Sequence, residues 1–401
     1  MGDVFMNNRE FIHCANQSKF YQQKLVNVNT EHWDSIPFTT KKELREADGF
    51  DLLGVDSSQI ATYHETSGTS GKPSPSWFSH NDTLQEAKLL MDSDLQLSEN
   101  DLILNRFPFA IALPAFILYW TAREAKAGFI SADQWNLAAP ISRVVEILQK
   151  TKPSILAIGS NEAIRLYHVA KAMGVQFPLA NLRALIVAGE LVSPSRRKYI
   201  EQLFGVPVHM LFGSTETGSL SLSCKEGHFH LTHPKVKFEV VDEQGQVLPF
   251  HEKGYCVLST AREGMPLLRY FNEDIIEIQE DHTCSCGNET PVLIHYGREI
   301  ESITVHGNTF SFYDIQEAIY TLNEIPFQWQ LQQIDQTVTF FLQYTKIVDV
   351  SSISKELSDK LGLEVLVELS ELYPIENYIQ KPKHTKTTYI EKIFTDVLVA
   401  E

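Results

Sequence analysis

Residues 66–73 read Thr66, Ser67, Gly68, Thr69, Ser70, Gly71, Lys72 and Pro73. Small residues crowd backbone N–H groups together, hydroxyls add donors and Lys72 adds charge, a composition that suits a polyphosphate. This is not a Walker loop, which needs four residues between its glycines and Ser or Thr directly after the lysine. A second string, Phe212, Gly213, Ser214, Thr215, Glu216, Thr217 and Gly218, follows an apolar run. Hydroxyls and one carboxylate at the C-terminal end of a strand form a ligand edge, because open α/β sheets bind there. A third group is Cys224, Cys284 and Cys286 with the nearby His228, His230 and His233. Three thiolates and one imidazole complete a tetrahedral zinc site with no open position, so such a zinc would be structural; free buried thiols are the alternative.

These groups need a frame. Helical patterns over 83–92, 141–150, 161–173 and 193–204 alternate with short apolar strands over 102–107, 155–158, 184–187 and 208–212. That alternation predicts an α/β fold with a mostly parallel sheet covered on both faces. Past residue 220 the texture becomes β-hairpin material over 235–241 and 254–260. Beyond Arg298, helical spacing at Phe312, Ile315, Ile319 and Leu322 starts a compact α+β unit of about a hundred residues. The expected division is a large multi-sheet N-terminal domain, 1–297, and a small mobile C-terminal domain, 298–401.

Composition excludes some classes. The 34 Lys+Arg against 51 Asp+Glu give a net charge of −17. With no basic block, a nucleic-acid or anionic-membrane surface is not expected. No apolar run reaches spanning length, since the run 107–120 is broken by Pro108 and Pro114. No signal pattern opens the chain, and five cysteines form no disulfide framework, so a cytoplasmic, reduced protein is expected.

Five strings stand in the order of the adenylate-forming superfamily (acyl-CoA synthetases, luciferase-like enzymes, aryl-acid ligases and peptide-synthetase adenylation domains). The loop 66–73 resembles its phosphate loop, and Phe212–Gly218 its aromatic-Gly-x-Thr-Glu motif. Leu268, Arg269, Tyr270, Phe271, Asn272, Glu273 and Asp274 resemble Tyr-Arg-Thr-Gly-Asp, with Glu273 in place of Gly. Gly297, Arg298, Glu299, Ile300 and Glu301 resemble the hinge segment, and His306 replaces its later arginine. Lys381–Lys386 resembles the C-terminal lysine string, shortened and without its glycine.

The resemblance implies ATP binding by Thr66 to Lys72, with Phe212 against adenine and Ala188, Gly189 and Glu190 on its other face. It further implies Thr215 on the α-phosphate, Gly213 and Ser214 among the ATP-binding residues, Glu216 on Mg²⁺, and Asp274 and Arg298 at the ribose. Lys386 is the implied catalytic lysine, with Lys383 as competitor, and Glu301 the hinge. The chain most resembles the short phenylacetate–CoA ligase branch, which also carries Cys-x-Cys-Gly; that branch's spacing favours His230 over His228 as the fourth zinc ligand.

The implied reaction joins a carboxylic acid to AMP and passes the acyl group to a thiol, of CoA or of a carrier protein's phosphopantetheine. The aromatic stretch 105–116 suggests that Phe107 and Phe109, with Ala188, Gly189 and Gly213, sandwich a flat aromatic acid. Stand-alone aryl-acid ligases of siderophore biosynthesis are a match of this kind, with dihydroxybenzoate as the acid. An aryl-CoA ligase using free CoA, a non-catalytic nucleotide- or acyl-binding module and a P-loop kinase are the alternatives.

Overall fold

The computed structural model describes residues 5–66, 72–135 and 138–379. The expected site residues Ser67, Gly68, Thr69, Ser70, Gly71, Lys383 and Lys386 lie outside them.

Strands Gly128–Ser131, Leu102–Asn105, Ile155–Ile158, Ala184–Val187, Val208–Ser214 and Gly218–Leu222 lie in that order in one sheet. The first five run parallel and the last returns antiparallel. Successive side chains of a strand point to opposite faces, so a sheet covered on both sides needs unbroken apolar strands. Ile155 and Ala157 accordingly join one core with the helices His80–Met91 and Pro114–Glu124. Leu156 and Ile158 join the other, with Ile141–Thr151, Ser160–Ala172 and Pro194–Phe204. Three elements of this layer escaped the sequence pattern, the strands Gly128–Ser131 and Gly218–Leu222 and the helix Pro114–Glu124. Pro114 does not break that helix but opens it, at a position whose N–H has no intrahelical partner anyway.

A second sheet, antiparallel throughout, has the order Val247–Leu248, Val236–Val241, Gly254–Thr260, Leu267–Gln279, Val292–Arg298, Phe229–His230. Its long strand Leu267–Gln279 sets Asp274 opposite Arg298 of the next strand. Phe212 and Leu220 of the first sheet pack into the core beneath this second one, so the two sheets meet at the Phe212–Gly218 string. The strands Ile60–Glu65 and Pro75–Ser79 form a separate antiparallel pair and present the glycine-rich loop between them.

After Arg298 the chain forms a hairpin of Ile303–Val305 with Asn308–Phe310, then the helix Phe312–Tyr320. Strands Gln328–Ile334, Thr337–Gln343 and Leu366–Leu369 and the helix Val350–Leu361 complete an α+β unit. Ser311 and Asp349 cap the two helices, and Gly362 ends the second at φ +62°. His306 and Gly307, both at positive φ, form the two-residue hairpin turn. No helix among the described residues is long and apolar enough to cross a membrane.

Candidate active site

A cavity of about 350 Å³ opens where the parallel sheet's C-terminal edge, the antiparallel sheet and the start of the C-terminal unit converge. Thr66, Ala188, Gly189, Glu190 and the whole Phe212–Glu216 string line it, and so do Asp274, Arg298 and Glu301. Residues up to 235 positions apart in sequence thus face one space. Lys72 is exposed and is not among the lining residues.

The string Phe212–Gly218 is held as a tight turn. Ser214 N–H donates to Thr217 Oγ1 at 2.9 Å, and Thr217 N–H donates to Ser214 Oγ at 3.2 Å. Gly213 is required because a Cβ there would sit 2.2 Å from the Gly218 carbonyl oxygen. Phe212 packs its ring 5.1 Å from His295 and 5.4 Å from Phe229, leaving a flat aromatic wall. Glu216 is 2% exposed, and its Oε1 is buried without a hydrogen-bond partner. A buried carboxylate oxygen left unpaired beside a cavity fits a cation better than it fits a packed core.

Asp274 receives Arg298 Nε at 3.0 Å and the Asn272 amide, and His295 Nε2 stands 3.6 Å away. Burial pushes its carboxyl up, but His295 and Arg298 outweigh that and hold it below the usual range. It is therefore an ionised acceptor with lone pairs to spare for two hydroxyls. Arg298 N–H also donates to Glu301 Oε2 at 3.3 Å, which ties the end of the strand to the next segment. Glu190 is engaged on both oxygens. Oε1 accepts from Ser160 Oγ at 2.7 Å and Asn161 N–H at 2.9 Å, and Oε2 accepts from Arg196 at 3.1 Å. The Glu190 carboxylate therefore fixes the cavity wall.

Thr66 closes the base of the glycine-rich loop: its Oγ1 accepts from Ser74 N–H at 2.9 Å, and its own N–H donates to the Ser74 carbonyl. Two cations unforeseen in the sequence also line the cavity, Lys41 and Arg45, four apart on the helix Lys41–Glu46. Lys41 pairs with Glu273 at 3.0 Å and Arg45 donates to Ser74 Oγ at 3.1 Å.

The aromatic-sandwich expectation needs correction at two positions. Phe107 is buried in the core and Phe109 packs on Phe116, Tyr119 and Phe129, and neither lines the cavity. Leu113, Pro114 and Ile117, at the start of the unforeseen helix, form that apolar wall with Val187, Ala188 and Met210. The sequence signal for them was Pro114 itself, which is favoured at the first position of a helix. Ser219 adds one buried hydroxyl without a partner.

Away from the cavity, one donor atom each from Cys224, His230, Cys284 and Cys286 lies within 4.8 Å of all the others. Cys224 and Cys284 Sγ are 3.8 Å apart and Cys286 Sγ is 3.2 Å from His230 Nε2. Sulfurs at about 2.3 Å from a tetrahedral centre stand about 3.8 Å apart, so the thiols have the spacing of zinc ligands. His228, the alternative, reaches Cys284 at 3.2 Å from a second group with His282. His233 belongs to neither group.

The sequence profile of the AMP-binding enzyme family matches residues 13–263, well over half of the chain. The chain belongs to the AMP-binding enzyme family. Within it, the chain is similar to a phenylacetate-coenzyme A ligase of Thermus thermophilus, 24% identical over 308 residues that cover 74% of this chain and 67% of that enzyme. The phenylacetate-coenzyme A ligase of Escherichia coli is 22% identical over 258 residues, 61% of this chain and 57% of that one. The chain thus spans between about half and two thirds of these AMP-binding relatives. Among solved structures it resembles a 2-hydroxyisobutyryl-CoA ligase in its postadenylation state with 2-HIB-AMP. The TM-score is 0.80 at 17% identity over 90% of this chain and 84% of the other, which shows a shared fold. The AMP-binding match ends before Asp274 and Arg298, which the two sheets nevertheless bring to the same cavity.

Proposed function

We propose that the protein is an adenylate-forming acid–thiol ligase. The observation that carries this reading is one cavity lined by Thr66, the Phe212–Glu216 turn, Asp274 and Arg298, continuous with an apolar compartment. In the first half-reaction a carboxylate oxygen bonds to the α-phosphorus of ATP, and the bond to the bridging oxygen breaks to release pyrophosphate. In the second, a thiolate sulfur bonds to the acyl carbon and AMP leaves, the thiol proton going to solvent.

The carboxylate and the triphosphate repel each other, so the site must align them and offset charge. Asp274 and Arg298 hold the ribose, the Phe212 ring faces the adenine, and Thr215 reaches the α-phosphate. Lys41, Arg45 and Lys72 add positive charge near the phosphates. Glu216, with its unpaired oxygen, and Thr215 form an oxygen donor set that fits Mg²⁺, which supplies charge neutralisation when bound. Lys386 bridges the acid and the α-phosphate, carried by a C-terminal lid, 298–401, that turns about Glu301 to admit the thiol.

The acid is aromatic, in keeping with the phenylacetate ligases among its relatives and the apolar wall from Leu113 to Ile117. The unpartnered Ser219 hydroxyl supports a ring bearing a hydroxyl, the dihydroxybenzoate type that siderophore pathways activate. CoA is the thiol that the relatives' names support, and a carrier-protein phosphopantetheine is the alternative acceptor. Acid-dependent exchange of labelled pyrophosphate into ATP tests the reading, using a panel of aromatic and aliphatic acids with Mg²⁺. Exchange with at least one aromatic acid is expected; none with any acid, from folded protein, would overturn it.

The thiol spacing supports a structural zinc on Cys224, His230, Cys284 and Cys286. About one equivalent should survive desalting, and Cys286→Ser should release it. Less than about a tenth of an equivalent would make these residues plain thiols.

A further inference from the structure

Beneath the Thr215–Glu216 turn lie Arg262 and Glu86, two buried titratable residues that do not themselves line the cavity. Arg262 follows the strand Gly254–Thr260 and is 9% exposed. Its Nη2 donates to the Glu216 carbonyl oxygen and, at 3.0 Å, to Ser76 Oγ. Its guanidinium stacks 4.1 Å from the centre of the Phe78 ring. Ser76 and Phe78 belong to the strand that leads out of the glycine-rich loop. Opposite, Glu86 of the helix His80–Met91 is buried, and both its carboxylate oxygens accept from Ser219 N–H at 3.1 Å. Gly218 fills the gap between them: a Cβ there would lie 2.2 Å from Glu86 Oε1 and 3.5 Å from Arg262 Cδ. Asp82, one turn before Glu86, accepts from the N–H groups of Glu263 and Gly264 and so fixes the segment after Arg262.

The turn is therefore gripped at both ends from below, its Glu216 carbonyl by a cation and its Ser219 N–H by a carboxylate. Arg262 Nε and Nη1 are buried without partners. Burying ions this way costs several kcal/mol, and an apolar filler of equal volume would stabilise the fold at least as well. Packing alone does not account for the choice. Fixed placement of the turn does, because charge-assisted bonds to backbone are short and directional.

We propose that Arg262 and Glu86 are positioning residues that set the Thr215–Glu216 turn, and with it the Glu216 carboxylate, for the metal-bound triphosphate. The inference rests on the ligase reading, which makes Glu216 the metal-facing group. Arg262 also joins the strand Pro75–Ser79 to that turn, so the triphosphate's two contact regions share one buried support.

The test uses the full chain with Arg262→Lys, Arg262→Met and Glu86→Gln, each checked for a single cooperative thermal unfolding transition. Calorimetry measures binding of MgATP and, separately, of AMP without metal; pyrophosphate exchange measures the half-saturating Mg²⁺. Arg262→Met should weaken MgATP and raise the Mg²⁺ requirement by about tenfold, with AMP affinity within about threefold. Arg262→Lys should fall between, and Glu86→Gln should raise the requirement by about threefold. If Arg262→Met does not fold, the other two variants carry the measurement. Folded variants with an unchanged Mg²⁺ requirement, or with AMP and MgATP weakened alike, would overturn the proposal. A wild-type chain that fails exchange with every acid overturns the ligase reading instead, and the MgATP-versus-AMP comparison still reads the positioning role.

Discussion

Glu86 is the residue whose charge state the fold perturbs most usefully for experiment. Burial pushes its carboxyl up to about 7, against the opposing pull of Ser219 and Arg262. Its folded value thus lies above the ordinary 4.5, so the folded protein holds this proton where the unfolded chain has lost it. The stability it contributes is fully present below about pH 4.5 and is lost as pH rises through about 7. Replacing it by Gln removes that dependence. Relative to wild type, Glu86→Gln should gain up to about 3 kcal/mol between about pH 4.5 and pH 8. Denaturant midpoints at the two pH values measure this, and parallel profiles would show that Glu86 titrates normally. Asp274 is the contrasting carboxyl, equally buried but held below the usual range by His295 and Arg298, which suits the ribose-acceptor role proposed for it.

The strand Gly218–Leu222 is the element on which the site depends most. It begins at the Glu216 turn, pairs with Val208–Ser214 and leads within two residues to the thiol of Cys224. Its first residue tolerates no side chain, since φ is +73° and Glu86 occupies the space of a Cβ. Gly218→Ala should cost about 2 to 4 kcal/mol, combining left-handed strain with overpacking, as read from the unfolding midpoint. A loss under about 0.5 kcal/mol would mean that Glu86 moves aside freely. The helix Pro114–Glu124 teaches a different lesson. Its proline and aromatic residues looked like a broken run, yet proline at a helix start is favourable, and the first turn supplies part of the cavity's apolar wall.

At the scale of the whole molecule, the C-terminal unit shares an apolar core with the body, with His168 against Phe327 and Tyr199 against Tyr320, and adds polar anchors on one helix. Gln316 accepts from Ser193 N–H at 2.9 Å and donates to the Leu191 carbonyl at 3.0 Å, and Glu317 accepts from Ser195. The lid motion proposed above would have to part this apolar seam as well as those hydrogen bonds. If that lid carries Lys386 for the first half-reaction only, Lys386→Ala should lower adenylation by at least about a hundredfold. It should spare thioester formation from supplied acyl-AMP. Single-turnover assays of each half separate the two, and equal loss in both would tell against the role.

The amino-acid sequence by itself determined the family resemblance, the covered parallel sheet and the backbone strings around Thr66, Glu216, Asp274 and Arg298. Those features are local: glycines, hydroxyls and carboxylates at short spacing, and apolar strands whose period shows directly. The tertiary structure decided what meets across long separations. Glu86 and Ser219 are 133 residues apart, Lys41 and Glu273 are 232 apart, and Cys224 and Cys284 are 60 apart. It also left Phe107 and Phe109 off the cavity's apolar wall and placed Leu113, Pro114 and Ile117 there. The physical reason is common to all of these. A buried charge or an apolar wall is defined by its neighbours in space, and one chain's local pattern does not say which distant element will cover it.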